Sequence, residues 1–247
     1  MTASPSARAD VFLVEHGYAQ TRAEAQEAIA AGCVSSGGKL VTKPSQRLNE
    51  SAHIKYSRAH PFVSRGALKL SAALDTFELS PRDRICLDIG ASTGGFSQVL
   101  LLRGARRVYA VDVGHGQLAP KIAADHRVVV LEGTNARDLT EAAISCRPQA
   151  VVADVSFISL TLVLPNALAL ADRGAWLVAL VKPQFEVGRA HVGKGGIVKD
   201  AQRQRDAVDR IGQWIAKEQG WSVLGTMESP VKGGDGNREF LIAARKP

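Results

Sequence analysis

The second part of the chain alternates short apolar runs with segments in which apolar residues recur every three or four positions. The apolar runs predict buried strands at 84–89, 107–112, 127–131, 149–154 and 175–181. The segments between them predict helices near 94–103, 117–124, 140–145, 161–171 and 200–219. Strands and helices in this alternation predict a parallel sheet with right-handed crossovers.

The last part of the chain departs from this alternation. Two apolar segments, 221–226 and 238–244, are separated only by a loop rich in glycine and proline. Strands joined without a helix pair antiparallel, so these two predict a terminal hairpin. The predicted fold is therefore α/β and doubly wound, with a mostly parallel seven-stranded sheet that ends in an antiparallel hairpin.

The first 59 residues predict a separate small α+β unit. A short amphipathic helix covers 10–16, and a capping box from Thr21 to Glu24 opens a second helix that stops at Gly32. A strand, a glycine turn and a strand follow over 33–41, and a third strand covers 53–56. The predicted domains are 1–59 and 65–247, with a linker at 60–64.

A glycine-rich turn follows the predicted strand 84–89, with the sequence D-I-G-A-S-T-G-G-F at 88–96. Ser92 replaces the glycine that lets backbone approach a pyrophosphate in dinucleotide sites. The turn therefore suits an adenosine ligand without a pyrophosphate, such as S-adenosylmethionine (SAM), with Asp88 facing a cationic group. A plain tight turn is the alternative.

Two polar residues farther along complete the predicted cofactor site. Asp112 ends the next strand, where a carboxylate can accept both ribose hydroxyls, although a helix cap is its alternative. Asn135 follows the third strand at the edge where adenine would lie, or is an ordinary turn residue. The predicted cofactor residues are Asp88, Gly90, Ala91, Ser92, Gly94, Gly95, Phe96, Asp112, Val113 and Asn135.

Four charged residues lie at the ends of elements that converge on one pocket: Lys69, Asp154, Lys182 and Glu239. A lysine at the mouth of a buried strand is costly without a carboxylate partner. Methylation of a ribose 2′-hydroxyl requires a group that takes its proton, and a desolvated lysine beside another cation can do so. Taken singly, each residue has a structural alternative, such as a lysine that snorkels from a helix. The sequence after Asp154 is also unlike the motif of amine methylation.

Composition adds the class of partner. A formal net charge of +7 and an isoelectric point near 9.5 favour a polyanion, with nucleic acid first and an acidic membrane second. The three cysteines, Cys33, Cys86 and Cys146, have no metal or redox spacing and predict reduced thiols in a cytoplasmic protein. No apolar run has the length of a membrane span, and we expect no metal.

Two resemblances give these features a function. The order R-x-D-x-x-L-V-E-x-G, T-R-x-E-A, A-G-x-V and G-K-x-V-x-K-P resembles the S4 RNA-binding domain. The whole chain resembles the TlyA (haemolysin A) family, whose second domain is of the FtsJ type. The matching motifs include V-S-R-G-A-x-K-L (63–70), T-N-A-R (134–137), A-D-V-S-F-I-S-L (153–160) and V-K-P-Q-F-E-V-G (181–188).

The family resemblance implies SAM-dependent methylation of a cytidine 2′-hydroxyl in ribosomal RNA, in the large subunit first and with the small subunit left open. It implies that Lys69, Asp154, Lys182 and Glu239 are catalytic, with Lys182 activating the hydroxyl and Asp154 orienting it. Other hypotheses are an RNA-binding protein that only senses SAM, and a membrane-active haemolysin. We expect a monomer or a weak homodimer.

Basic residues on both domains are expected to bind RNA. The basic segment 186–199 is predicted to be a flexible loop that clamps RNA through Arg189, Lys194 and Lys199. The full set of predicted RNA contacts is Arg8, Arg22, Lys39, Lys43, Arg65, Arg189 and Lys194, with Lys199 beside them.

Overall fold

A computed structural model describes residues 6–49, 53–233 and 235–247. The chain packs as two units, Met1–Pro61 and Phe62–Pro247. Phe62 and Val63 lie against the core of the second unit. Within the described residues, no helix is both long and apolar enough to cross a bilayer.

The first unit packs two helices, α1 (Ala9–Glu15) and α2 (Arg22–Ala30), against short strands. Thr21 caps α2 by accepting a hydrogen bond from Glu24 N at 3.2 Å. The strands are β1 (Ser6–Arg8), β2 (Val34–Ser36), β3 (Lys39–Leu40), β4 (Arg47–Asn49) and β5 (Ile54–Tyr56). Strands β3, β2 and β5 form one sheet, while β1 and β4, which the sequence did not predict, form a second.

The second unit is built on one seven-stranded sheet with the order β11-β12-β10-β9-β6-β7-β8. Its strands are β6 (Ile85–Ile89), β7 (Arg107–Val111), β8 (Val128–Leu131), β9 (Ala150–Ala153), β10 (Trp176–Val181), β11 (Ser222–Glu228) and β12 (Phe240–Arg245). Strands β6 to β10 run parallel, and β12 pairs antiparallel with both β10 and β11. The predicted fold is confirmed, including the antiparallel end.

Helices cover both faces of this sheet, as successive residues of β6 illustrate. Leu87 and Ile89 join a core formed with α6, α7 and α9, whereas Cys86 joins the core on the side of α3 and α4. The helices are α3 (Gly66–Thr76), α4 (Gly95–Leu102), α5 (Pro120–Ala123), α6 (Leu160–Val163), α7 (Pro165–Leu170), α8 (Pro183–Glu186) and α9 (Ala201–Lys217). Because β6 to β10 run parallel, they all end at the same edge of the sheet.

Three predicted helices differ from the structure. No helix forms at 140–145: only Ala143 and Ile144 bond back to Thr140 O, while the buried Ile144 and the Tyr109–Ser145 hydrogen bond at 2.8 Å hold the segment as turns. The helix predicted at 161–171 is split at Pro165, which cannot donate the hydrogen bond that would continue it. The helix predicted at 117–124 shortens to α5, which begins at Pro120.

Candidate active site

The glycine turn after β6 requires its first glycine. Gly90 has a φ of +80°, and a Cβ there would lie 2.4 Å from the carbonyl oxygen of Asp154. The loops after β6 and β9 can therefore meet only at a residue without a side chain. Ser92 has a φ of 46°, which is uncommon for a residue other than glycine and shows how tightly the turn is wound.

Asp112 at the end of β7 orders this turn. Its Oδ2 accepts the backbone N–H of Ser92 at 2.8 Å, and its Oδ1 accepts that of Gly114 at 2.7 Å. Glu132 fixes the following loop by accepting backbone N–H groups at 116–118, and these bonds lower its pKa. The carboxylate predicted to hold a ribose thus already fixes the backbone around the site.

A pocket of about 310 Å³ lies at the carboxyl edge of the sheet. Its wall contains eight of the residues that the sequence predicted for catalysis or cofactor binding: Lys69, Gly90, Ala91, Ser92, Gly95, Phe96, Asp154 and Lys182. Arg65, predicted for RNA binding, lies there too. The sequence reasoning missed four of the other lining residues, namely Ser64, Thr93, Ser156 and Lys232. Single serines, a threonine and a loop lysine carry no spacing signal that would have marked them.

The first lysine of the pocket is paired almost out of contact with water. Lys69, on α3, lies 2.5 Å from Oε2 of Glu239, and only 9% and 3% of the two side chains are exposed. The antiparallel direction of β12 places Glu239, just before its first residue, at the same edge as the ends of the parallel strands. Although Glu239 does not line the pocket, it fixes the lysine that does.

The second lysine is more open. Lys182 Nζ lies 2.7 Å from Oδ1 of Asp154, with 12% and 22% of the side chains exposed. It donates a hydrogen bond to Ser156 Oγ at 2.8 Å. Asp154 Oδ1 has no aligned hydrogen-bond partner among the described residues, so the contact with Lys182 is one of charge. This oxygen is buried, so it serves to hold the amino group of Lys182 at the pocket wall.

Asp88 lies behind the glycine turn and is fully buried. Ser97 donates to its Oδ2 at 2.6 Å, and Oδ1 has no hydrogen-bond partner among the described residues. Burial raises the pKa of Asp88 to about 7; the Ser97 hydrogen bond opposes this, and the charges of Asp154 and Asp112 add to it. Within the chain Asp88 is hydrogen-bonded by a hydroxyl, and its contact with a cationic group of a ligand stays a prediction.

The other predicted cofactor residues lie outside the pocket wall. Gly94 caps α4 with a φ of 91°, and Val113 is 68% exposed on the loop after β7. Asn135 caps a single 3-10 turn, Ala136–Asp138, by accepting a hydrogen bond from Arg137 N at 3.1 Å. This is the turn role that the sequence had left open as an alternative. Its contact with an adenine stays a prediction.

An aromatic pair that the sequence did not single out stands beside the pocket. Phe157 is 91% exposed and has a φ of 67°, an uncommon conformation for a bulky residue. Its ring centre lies 5.1 Å from that of Phe185. Phe157 directly follows the pocket residue Ser156 in the chain, and its ring is open to solvent.

The loops that follow β9 and β10 are tied together by Glu186. This buried carboxylate accepts hydrogen bonds from Ser159 Oγ at 2.7 Å and from Leu160 N at 2.9 Å, and Arg210 lies 3.6 Å away. Burial is the largest influence on its pKa, which is raised. Asp154 and Lys182 precede these two loops, so Glu186 helps to keep their spacing.

The basic segment 186–199 is more ordered than predicted. It contains two 3-10 turns, Arg189–His191 and Lys194–Gly196. The buried Asn237 anchors it, donating to Gly196 O at 2.8 Å and accepting from Val198 N at 3.0 Å. Its predicted RNA contacts, Arg189, Lys194 and Lys199, are exposed.

Predicted RNA-binding residues of the first unit share a buried anchor. Asp10 is fully buried and accepts hydrogen bonds from Arg8 Nε at 3.0 Å, Arg22 Nη2 at 2.8 Å and Gln26 Nε2 at 2.8 Å. The Arg8 bond is the main cause that holds the pKa of Asp10 far below its usual range. Both guanidinium groups stay about half exposed, and Lys39 and Lys43 are exposed as well.

Known proteins match both units. Residues 62–246 match the FtsJ-like methyltransferase family, and residues 7–54 match the S4 domain. The 16S/23S rRNA (cytidine-2′-O)-methyltransferase TlyA of Mycobacterium tuberculosis is 47% identical over 97% of this chain and 90% of that protein. Hemolysin A of Brachyspira hyodysenteriae is 40% identical over 95% of this chain and 98% of its own.

Solved structures agree. A protein from Streptococcus thermophilus, provisionally named a hemolysin, has a TM-score of 0.77 and 41% identity, covering 99% of this chain and 90% of that one. Magnesium protoporphyrin IX methyltransferase from Synechocystis, at 15% identity and a TM-score of 0.51, covers 74% of this chain and 82% of its own and shares the fold alone. The chain belongs to the TlyA family of FtsJ-like methyltransferases, which carry an S4 domain ahead of the methyltransferase fold.

Proposed function

We propose that this protein transfers a methyl group from SAM to the 2′-hydroxyl of a cytidine in ribosomal RNA. The observation that carries the proposal is the convergence of Lys69, Asp154 and Lys182 on one pocket beside the glycine turn. The names of its relatives supply the nucleotide and the RNA, and the large subunit is the first target to test. Because the substrate is ribosomal RNA, we expect the reaction to take place in the cytoplasm. We expect the protein to act as a monomer or a weak homodimer.

The pocket fits the cofactor in shape and chemistry. A volume of about 310 Å³ is at the lower end of small-molecule sites. A Cβ at Gly90 would clash with Asp154 O, and one at Gly95 would lie 2.1 Å from Ser64 Oγ. Both positions therefore require glycine, so the turn carries no side chain there. SAM supplies a methyl group activated by its sulfonium charge. We expect the turn and Asp112 to hold the adenosine part, with Val113 and Asn135 near the adenine.

Lys182 is the group that we assign to the proton. Its Nζ is held by Asp154 at 2.7 Å and Ser156 at 2.8 Å, which leaves one of the three directions of the amine for the 2′-oxygen. In its neutral form Lys182 takes the hydroxyl proton as the oxygen attacks, and Asp154 balances the ammonium ion so formed. We expect Asp154 to orient the hydroxyl through the position in which it holds Lys182.

Lys69 and Glu239 have a different task in this proposal. Glu239 holds Lys69 at 2.5 Å, which fixes the amino group before substrate arrives. A donor fixed in advance stabilises negative charge that develops on the 2′-oxygen without reorganisation in the transition state. We therefore assign Lys69 to charge stabilisation and Glu239 to positioning Lys69.

Features around the pocket favour RNA over a small substrate. The exposed ring of Phe157 offers a surface on which an unstacked base can stack. Arg65, Arg189 and Lys194 are exposed on the same unit and suit phosphate contacts, as do Arg8, Arg22, Lys39 and Lys43 on the S4 unit. The anchor at Asp10 limits the motion of two of these arginines, which reduces the entropy lost on binding.

The experiment combines the full chain, SAM with a labelled methyl group, and separated ribosomal subunits or naked rRNA. We expect label in RNA of the large subunit, and mapping should find a 2′-O-methyl group on one cytidine. Label on a base, or on a ribose other than that of a cytidine, would refute the assignment. Binding of SAM and RNA without any transfer would instead favour the SAM-sensing alternative.

A further inference from the structure

A cluster of arginines lies at the amino edge of the large sheet, opposite the pocket. Arg84 immediately precedes β6, Arg107 begins β7, and Arg245 ends the antiparallel β12. Parallel strands begin at the edge where an antiparallel strand ends, so these side chains share one edge. With two neighbours they form the arginine edge, which consists of Arg82, Arg84, Arg106, Arg107 and Arg245.

The members of the arginine edge are contiguous. The carbonyl oxygen of Arg84 accepts the backbone N–H groups of Arg106 at 2.9 Å and Arg107 at 3.4 Å. Arg82, Arg84 and Arg245 line one open cleft of about 350 Å³. The cleft runs over the buried Trp176, and Glu78 and Asp83 also contribute to its wall.

These arginines differ from others of the same unit in their partners. Arg103, Arg127 and Arg147 each contact a carboxylate, at 2.6, 2.7 and 2.9 Å. Within the part of the chain that the structure describes, no member of the arginine edge lies within 4.0 Å of a carboxylate. Among the described residues, the side chain of Arg84 donates to the carbonyl of Gln149 alone, at 3.4 Å.

The charge of this surface is therefore not neutralised locally. In the cleft, three arginines stand against two acids, Glu78 and Asp83, and Arg106 and Arg107 add two positive charges beside it. All five except the half-buried Arg84 are exposed. Exposed guanidinium forks without acidic partners match the geometry of phosphate oxygens.

We propose that the arginine edge binds the phosphate backbone of the ribosomal RNA, at a stretch separate from the nucleotide that is methylated. The inference rests on the proposed function, which makes a large folded polyanion the substrate. The five residues of β6 put roughly 17 Å between this edge and the glycine turn, at about 3.3 Å per residue. Phosphates bound here belong to an RNA segment that passes the opposite end of the fold.

The test compares two double variants of the full chain in binding to naked large-subunit rRNA across a range of KCl concentrations. Arg82→Gln/Arg107→Gln removes two exposed charges of the arginine edge, and Arg205→Gln/Lys217→Gln removes two exposed charges of α9 as the matched control. We expect the first to weaken binding on the order of tenfold at moderate salt and to lower the slope of log affinity against log salt by about 1.5. The control should stay within about twofold.

The outcomes separate the two proposals. Equal weakening of rRNA binding in both variants would show that net charge alone explains the effect, and it would refute the proposed role of the arginine edge. Unchanged binding in the first variant would refute it as well. Melting temperatures measured alongside confirm that loss of binding is not loss of fold. Wild-type protein that binds rRNA but methylates none would refute the proposed function, while the binding comparison still decides the role of the arginine edge.

Discussion

Two lysine–carboxylate pairs reach the same pocket, and their surroundings differ. Lys69 and Glu239 are both nearly dry and lie 2.5 Å apart, whereas Lys182 and Asp154 are partly open to water at 2.7 Å. The first pair is closed on itself. The second shares its lysine with Ser156, and its carboxylate is the more exposed of the two. A pair that is complete before substrate binds is suited to fix geometry, and an incomplete pair is suited to react.

The strongest test of this contrast is the Lys182→Ala variant. Removing the proposed base should lower the rate of methyl transfer by about 10²–10⁴-fold. Because Asp154 is 22% exposed, the free energy of unfolding should fall by less than the about 3–5 kcal/mol expected for breaking a buried pair. Incorporation of labelled methyl groups, SAM affinity by calorimetry and urea unfolding measure the three effects.

The exposed Lys217→Ala on α9 is the matched control for that variant, and it should keep full activity. SAM affinity should be nearly the same in all three proteins. Turnover of the Lys182 variant within a few fold of wild type would remove Lys182 from the chemistry.

For the buried pair, Lys69 and Glu239, we expect a substitution to lower the free energy of unfolding. Glu239→Gln leaves Lys69 buried without its counter-charge, which costs about 3–5 kcal/mol of unfolding free energy. The double variant Lys69→Met/Glu239→Leu removes both charges and should recover most of that loss, yet stay inactive. Urea unfolding and the methylation assay give the two readouts.

Asp154→Asn provides the comparison for Glu239→Gln, because its pair is more exposed. A loss of stability for Glu239→Gln no larger than that for Asp154→Asn would contradict the distinction between a closed and an open pair.

Asp88 extends the comparison to a buried carboxylate that has no lysine. Burial raises its pKa from 3.8 in the unfolded chain to about 7, so folding favours the neutral acid. The stability that this contributes is fully present below pH 3.8 and is lost as the pH rises to about 7. Asp88→Asn should remove this loss, gaining on wild type by up to about 1.4 kcal/mol per pH unit between these values.

Unfolding by urea at a series of pH values, without cofactor, measures this difference. Ser97→Ala, which removes the hydroxyl hydrogen bond to Asp88, should keep the pH dependence of wild type and extend it to higher pH. Parallel curves for wild type and Asp88→Asn would show that Asp88 does not titrate in this range.

The smallest expected effect concerns Ser156, which accepts a hydrogen bond from the lysine of the more exposed pair. Ser156→Ala removes a hydrogen bond of 2.8 Å to Lys182, worth about 0.5–1.5 kcal/mol. We expect turnover to fall up to about tenfold and the melting temperature to stay close to that of wild type. Ser64→Ala, on the same pocket wall but without a recorded bond to either lysine, is its control. A larger loss of turnover in Ser64→Ala than in Ser156→Ala would indicate that this wall of the pocket acts mainly through cofactor binding.

The strands of the sheet were predictable because each is buried on both faces and reads as a continuous apolar run, as in β6 and β10. Whether a predicted helix forms depends also on its tertiary contacts. The segment 140–145 has suitable helix-forming residues, yet burial of Ile144 and the bond from Tyr109 to Ser145 outweigh a single turn of helix. Strands β1 and β4 escaped prediction because Ser6–Arg8 and Arg47–Asn49 are mostly polar or small and contain no β-branched or aromatic residue.

The site was predictable to the extent that topology determines it. Residues that follow parallel strands meet at one edge, which brought Asp154 and Lys182 together. Pairing was not predictable from position alone, since nothing in the sequence assigns Lys69 rather than Lys182 to Glu239. Ser97 and Ser156 were missed for the same reason, because a serine becomes important here only through what it touches.

The reversed direction of β12 has a consequence for how the enzyme is made. Lys69 and its partner Glu239 are 170 positions apart in the chain. A ribosome that has synthesised the first 182 residues has already produced Lys69, Asp154 and Lys182, but Lys69 still lacks its counter-charge. The last part of the chain must therefore be synthesised before the Lys69–Glu239 pair can form.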